Sequence, residues 1–167
     1  MDKILKDGVL IDNEWTDVTG YEALSSLPSG DIVVPLDQWL EHRADLVKRN
    51  SRLGVRLRND EDPARLADDL GRIALVVLEF PSFGDGRALS QANLLRRRLG
   101  FEGEIRATGD VQRDQMNDMR RCGVDAFAVR PDRDALAAAE AFDDFTYSYQ
   151  PTADGRLPIS RIRRGDA

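Results

Sequence analysis

The stretch IALVVLEFPSFGDGR, residues 73–87, decides the architecture. Residues 73–80 read as an apolar run without alternation, as expected of a strand covered on both faces and therefore central in a parallel sheet. Pro81, Gly84 and Gly86 mark a tight connection after it. Asp85 stands where a helix should begin, a position that accepts hydrogen bonds from backbone N–H groups left without partners in the first turn. The helix, about Arg87 to Leu99, carries Leu89, Ala92, Leu95 and Leu99 on one stripe and stops at Gly100. The stretch is thus one βα unit.

Working outward, the same punctuation recurs. Aspartates follow apolar stretches at Asp37, Asp62, Asp85, Asp110 and Asp132, at intervals of 25, 23, 25 and 22 residues. The strands predicted before them are 32–34, 55–57, 73–80, 105–107 and 126–129. Helices are expected from Asp37 to about Lys48, from Asp62-Pro63, where proline suits the first helical position, and from Asp132 through an alanine-rich segment to about Phe142. Phe145, Tyr147 and Tyr149 alternate with polar residues as a half-buried last strand would. Asp7-Gly8 between two apolar runs predicts an N-terminal hairpin, and the polar text of 16–30 reads as a linker.

The expected fold is therefore α/β, a mainly parallel sheet of five to six strands built from repeated βα units, preceded by a β-hairpin. A partial (βα) barrel is the alternative. Arg106 discriminates them, because it alternates with apolar neighbours: facing inward it favours the barrel, on an open edge the flat sheet. The chain divides into hairpin and linker (1–30), an α/β domain (31–150) and a basic tail (151–167) containing Arg156, Arg161, Arg163 and Arg164.

At 167 residues the chain can hold one core without metals or disulfides. A net charge of −6 argues against unspecific nucleic-acid binding, which needs clustered cations to displace counterions. No apolar run is long enough to cross a bilayer, and no signal-peptide segment opens the chain, so a cytoplasmic protein is expected. A single cysteine, Cys122, and a single histidine, His42, exclude an iron–sulfur cluster, a haem or a zinc site held by this chain alone. Cys122 follows Val111, Gln115 and Met119 on one helical stripe and should face the sheet. The doublet Asp68-Asp69 reads as a solvated face.

Strand ends of parallel sheets share one rim, where ligands bind. The candidates there are Gly84, Asp85, Gly86 and Arg87 after the central strand, Asp110, Arg113, Asp114 and Gln115 after the next, with Arg106 and Arg130 nearby. Two carboxylates on neighbouring strand ends among several arginines would make a charged crevice. Helix capping is the favoured explanation of Asp85 and Asp110, because it needs no ligand and because a capping carboxylate occupies the place an anion would take.

The motifs FGDGRALSQANLLRRRLG (83–100) and GDVQRDQMNDMRRCGVDAF (109–127), with the opening DGVLIDNEW (7–15), resemble a bacterial family, domain of unknown function 934, whose members carry the label of probable oxidoreductase involved in sulfite reduction. The resemblance implies an accessory role beside the sulfite reductase haemoprotein in assimilating sulfur, with a partner enzyme or small anionic ligand bound at the C-terminal rim. The alternatives it leaves are an oxidoreductase holding a noncovalent flavin or nicotinamide at that rim, and a non-catalytic partial-barrel subunit. No catalytic residue is transferred by the resemblance.

Overall fold

The computed structural model describes residues 3–21, 24–128, 152–156 and 158–164. Eight strands run in chain order: β1 (Lys3–Lys6), β2 (Val9–Asp12), β3 (Thr16–Asp17), β4 (Ile32–Pro35), β5 (Leu53–Leu57), β6 (Leu75–Phe80), β7 (Glu104–Gly109) and β8 (Ala126–Ala128). Helix α1 (Leu36–Leu46) follows β4, α2 (Arg87–Arg97) follows β6 and α3 (Arg113–Arg121) follows β7. The strands form one mixed sheet in the order β2-β1-β8-β7-β6-β5-β4-β3. Strands β3 to β8 are parallel, while β1 is antiparallel to both β2 and β8.

Because the parallel strands lie side by side in chain order, right-handed crossovers place every connecting helix on the same face. A doubly wound sheet would reverse its order midway; this one does not. A further constraint comes from the N-terminus. β2 and β3 are the two outer strands of the sheet, yet only Asn13, Glu14 and Trp15 separate them. Four residue steps reach at most ~14 Å. The outer strands of a flat eight-stranded sheet would lie roughly 34 Å apart. The sheet must therefore curl until its edges approach. It is an open, curled, mostly parallel sheet, closer to the partial barrel than to a flat one.

The curl makes the two faces unequal. Outside, α1 to α3 press Trp39, Leu46, Ala88, Ala92, Leu95, Met116 and Met119 onto Ile32, Val34, Val55, Val76, Leu78, Ile105 and Phe127 in one continuous core. Inside, Trp15 packs on a small separate cluster of Val33, Leu75 and Val77. The alternation of β5 to β7 explains the split: Val55, Leu78 and Ala107 face the helices, so Arg56, Val77 and Arg106 face the concavity, aligned in one register row.

Several expectations change. Among the described residues the sheet has eight strands instead of the expected five to six, and the supposed linker contributes β3 through its pairing with β4 at the edge. The crossover after β5 contains two 3-10 turns, Pro63–Leu66 and Leu70–Arg72, in place of an α-helix. Asp62 caps the first, accepting from the Ala64 N–H at 2.9 Å. Asp69 is buried, not solvated: its carboxylate receives the Trp39 indole N–H at 3.1 Å and Arg43 at 3.3 Å. Gly100 ends α2 with φ +66°, as expected. Asp132, the alanine-rich helix and the strand through Tyr149 lie outside the described residues.

If the connector holds the curl, Trp15→Ala should lower unfolding stability by about 3 kcal/mol, the lower end for an aromatic truncation because the ring is only partly covered. Trp15→Phe should recover most of it. Urea denaturation with an unchanged midpoint for Trp15→Ala would show that the connector closes nothing.

Candidate functional site: the C-terminal rim and the concave face

The loop after β6 and the turn after β7 meet at the rim. Gly109, at φ +92°, lies so close to the Phe80 carbonyl that a side chain there would collide with it, and the next residue donates to that carbonyl, Asp110 N to Phe80 O, at 2.7 Å. This turns the Asp110 carboxylate back over the neighbouring loop, where Oδ2 accepts the Phe83 N–H at 3.1 Å and Gln112 donates at 3.2 Å. Gln115 donates to the Phe83 carbonyl at 2.8 Å. Phe83 is thus gripped by its backbone on both sides, while the residue is 49% exposed.

Asp85 belongs to the same loop. It accepts the Arg87 N–H at 3.2 Å, forms an ion pair with the Arg87 guanidinium at 2.7 Å, and receives Asn59 from the loop after β5 at 2.5 Å. Hydrogen bonding from Arg87 is the main cause that holds its carboxyl at about 2, below the ordinary 3.8. Gly86 is the residue preceding α2, and Gly84 stands in open space. Asp114 is exposed in the first turn of α3, whose first residue is Arg113. Arg130 lies outside the described residues. Asp85 and Asp110 therefore do sit on adjacent strand ends, joined through residues 81–86. Their roles differ: Asp85 accepts the first N–H of α2 locally, whereas Asp110, two residues before the Gln112 that precedes α3, ties one loop to the next.

Arg106 is elsewhere. It lies on the concave face of an interior strand, 5% exposed, and donates to Glu104 at 2.6 and 2.9 Å and to Asn13 at 2.9 Å. Lys6 reaches the other Glu104 oxygen at 2.7 Å. Burial works against ionisation of Glu104, but the Lys6 hydrogen bond and the Arg106 charge outweigh it and keep the carboxyl below its usual range. This network anchors the connector between β2 and β3, so Arg106 is separated from the rim cluster.

A cleft of about 370 Å³ opens at the ends of β4, β5 and β6, lined by Asp37, Gln38, Arg56, Arg58, Glu61 and Glu79. Arg56 pairs with Asp17, and Arg58 with Glu61 at 3.1 Å. The carboxylate of Glu79, half-buried on the concave side of the central strand, makes no hydrogen bond or ion pair among the described residues. Sequence reading passed over Arg56 and Glu79. Their signal was present: Glu79 is the one charged residue in an otherwise apolar strand.

Cys122 is partly buried and packs against the core beside α3. Desolvation raises its thiol above the ordinary value, which disfavours the reactive thiolate. Among the described residues no three His, Cys, Asp or Glu side chains are grouped to hold a metal ion, and no helix is long and apolar enough to cross a membrane.

A family model described as "Bacterial protein of unknown function (DUF934)" matches residues 54–160, and the chain belongs to this family. The match covers β6, β7, β8 and both rim motifs, and leaves the opening at 7–15 outside it. A comparison with curated proteins found no match.

Two outcomes check this geometry. Asp85 has a depressed folded-state pKa, so its hold on the loop should be complete above pH about 4 and be lost as the pH falls through about 2. A carboxyl NMR titration should give a midpoint near 2 for Asp85, moving toward 3.8 in Arg87→Ala; an ordinary midpoint in the wild type would contradict the ion pair. Arg106→Met should cost about 3 kcal/mol in urea unfolding by leaving the part-buried Glu104 with Lys6 alone, with much of the loss restored in Glu104→Gln/Arg106→Met.

Proposed function

We propose that this protein is a cytoplasmic accessory component of assimilatory sulfite reduction, acting beside the sulfite reductase haemoprotein by docking a partner on its C-terminal rim. The pathway assignment rests on the resemblance carried by the motifs at 83–100 and 109–127. The mode of action rests on one observation: an exposed aromatic ring, Phe83, presented on a loop whose backbone is fixed by Asp110 and Gln115. A fixed loop loses little conformational freedom on association, so burial of the ring can contribute to affinity with a small ordering cost.

Partner docking fits the rim better than capture of a small anion. The rim amides that would face an anion already donate to carboxylates, Phe83 N–H to Asp110 and Arg87 N–H to Asp85. The Arg87 guanidinium is likewise engaged by Asp85. An arriving anion would have to displace covalently tethered carboxylates.

Deletion of the gene should abolish or slow growth on sulfate and sulfite and spare growth on sulfide and cysteine. Normal growth on all four sources would remove the pathway assignment. Phe83→Ala should fold normally, judged by an unchanged melting temperature, yet complement poorly, because burying a phenylalanine ring contributes about 1.5 to 3 kcal/mol. Full complementation by Phe83→Ala would remove the rim from the mechanism while leaving the pathway standing.

A further inference from the structure

We propose that the cleft at the ends of β4, β5 and β6 is a binding site for a small organic cation, a molecule carrying a protonated amine or guanidinium group, with Glu79 as its counter-ion. This site is distinct from the Phe83 loop and does not depend on the pathway assignment. The argument begins with the pairing of charges. The two arginines in the lining are already engaged, Arg56 by Asp17 and Arg58 by Glu61 and Asp60. Of the carboxylates, Glu61 is held by Arg58, and its neighbouring backbone is fixed from α2, where Gln91 donates to the Arg58 and Glu61 carbonyls at 2.7 Å each. Asp37 accepts one bond, from the Gln38 N–H at 2.8 Å. Glu79 accepts none among the described residues.

What remains unmatched in the cleft is the Glu79 carboxylate, an acceptor bearing negative charge, together with one buried donor, the Arg56 Nε–H. Glu79 extends from the concave side of β6 two residues beyond Val77, near the carboxyl end of a central parallel strand, the usual location of ligands in such sheets. A half-buried carboxylate without a partner is an energetic liability in the empty protein, which a donor-rich cation removes. An anion meets a less favourable situation, since Asp17 already neutralises Arg56 and Asp60 and Glu61 already neutralise Arg58. A metal ion finds no three acidic, histidine or cysteine side chains grouped to hold it among the described residues, although Asp37, Glu61 and Glu79 all line the cleft. The volume, about 370 Å³, accommodates a molecule of metabolite size.

The test is an NMR titration of the full chain with methylammonium and 1,4-diaminobutane, with neutral 1,4-butanediol and anionic succinate alongside. The amines should saturably shift the amides of Thr19, Gly20, Gln38 and Glu79, which all line the cleft, and the diol and succinate should not. Glu79→Gln should weaken the amines tenfold or more at an unchanged melting temperature. Glu41→Gln, an exposed carboxylate outside the cleft, should leave them unaffected. The proposal is overturned by absence of saturable shifts at the cleft for both amines, by wild-type binding in Glu79→Gln, or by saturable succinate binding there. Equal weakening in Glu41→Gln would also overturn it, because that marks diffuse attraction to a chain of net charge −6.

Discussion

The short step from Asp12 to Thr16 governs the rest of the structure. It joins the two outer strands of an eight-stranded sheet through three residues, and a sheet so joined cannot lie flat. Curling turns one face into a confined interior, where side chains crowd and water is scarce. Trp15, carried on the connector, fills the lower part of that interior against Val33, Leu75 and Val77. Asn13, two residues before it, meets Arg106. The helices are consequently confined to the outside, and the carboxyl ends of the strands converge on a mouth.

At that mouth the repeated aspartates perform different tasks. Asp62 caps a 3-10 turn, and Asp37 bonds the next amide inside the first turn of α1. Asp85 combines a local cap with an ion pair, whereas Asp110 reaches across to a residue 27 positions earlier. One sequence signal thus covers four local geometries. The common factor is chemical: a short carboxylate satisfies backbone N–H groups wherever a chain turns out of a strand. That self-satisfaction occupies the Phe83 and Arg87 amides of the rim, and it leaves Phe83 as an exposed apolar feature of the loop.

Much of the scaffold was legible because its signals are local. The unalternating run ending in Phe80 marks the central strand, the stripe of Leu89, Ala92, Leu95 and Leu99 marks α2, and Gly100 marks its end. Arg106 was recognised as the residue whose orientation would separate barrel from flat sheet. What escaped depends on distant partners. The two-residue β3 has no periodicity to read and exists through its pairing with β4. Asp69 looks like a surface acid until Trp39, 30 residues away, supplies an indole N–H. The site was legible in part for the same reason: the adjacency of Asp85 and Asp110 follows from consecutive parallel strands, but the importance of Glu79 follows from where Arg56 and Arg58 find their partners.

The network around Arg106 illustrates why a buried ion pair need not be explained by stability. Removing Glu104 and Arg106 from water is costly, and apolar residues of similar volume could fill the space at no loss. Such a core, however, would offer the connector no fixed point. Arg106 binds Glu104 on its own strand and Asn13 on the crossing chain, while Lys6 binds Glu104 from β1, so the network ties three segments at one height in the concavity. A slip of β1 by one residue against β8 would turn Lys6 away from Glu104 and leave a buried carboxylate with one partner fewer. The charges therefore select one register of closure, and that register places the strand ends, the Phe83 loop and the Glu79 cleft around a single mouth.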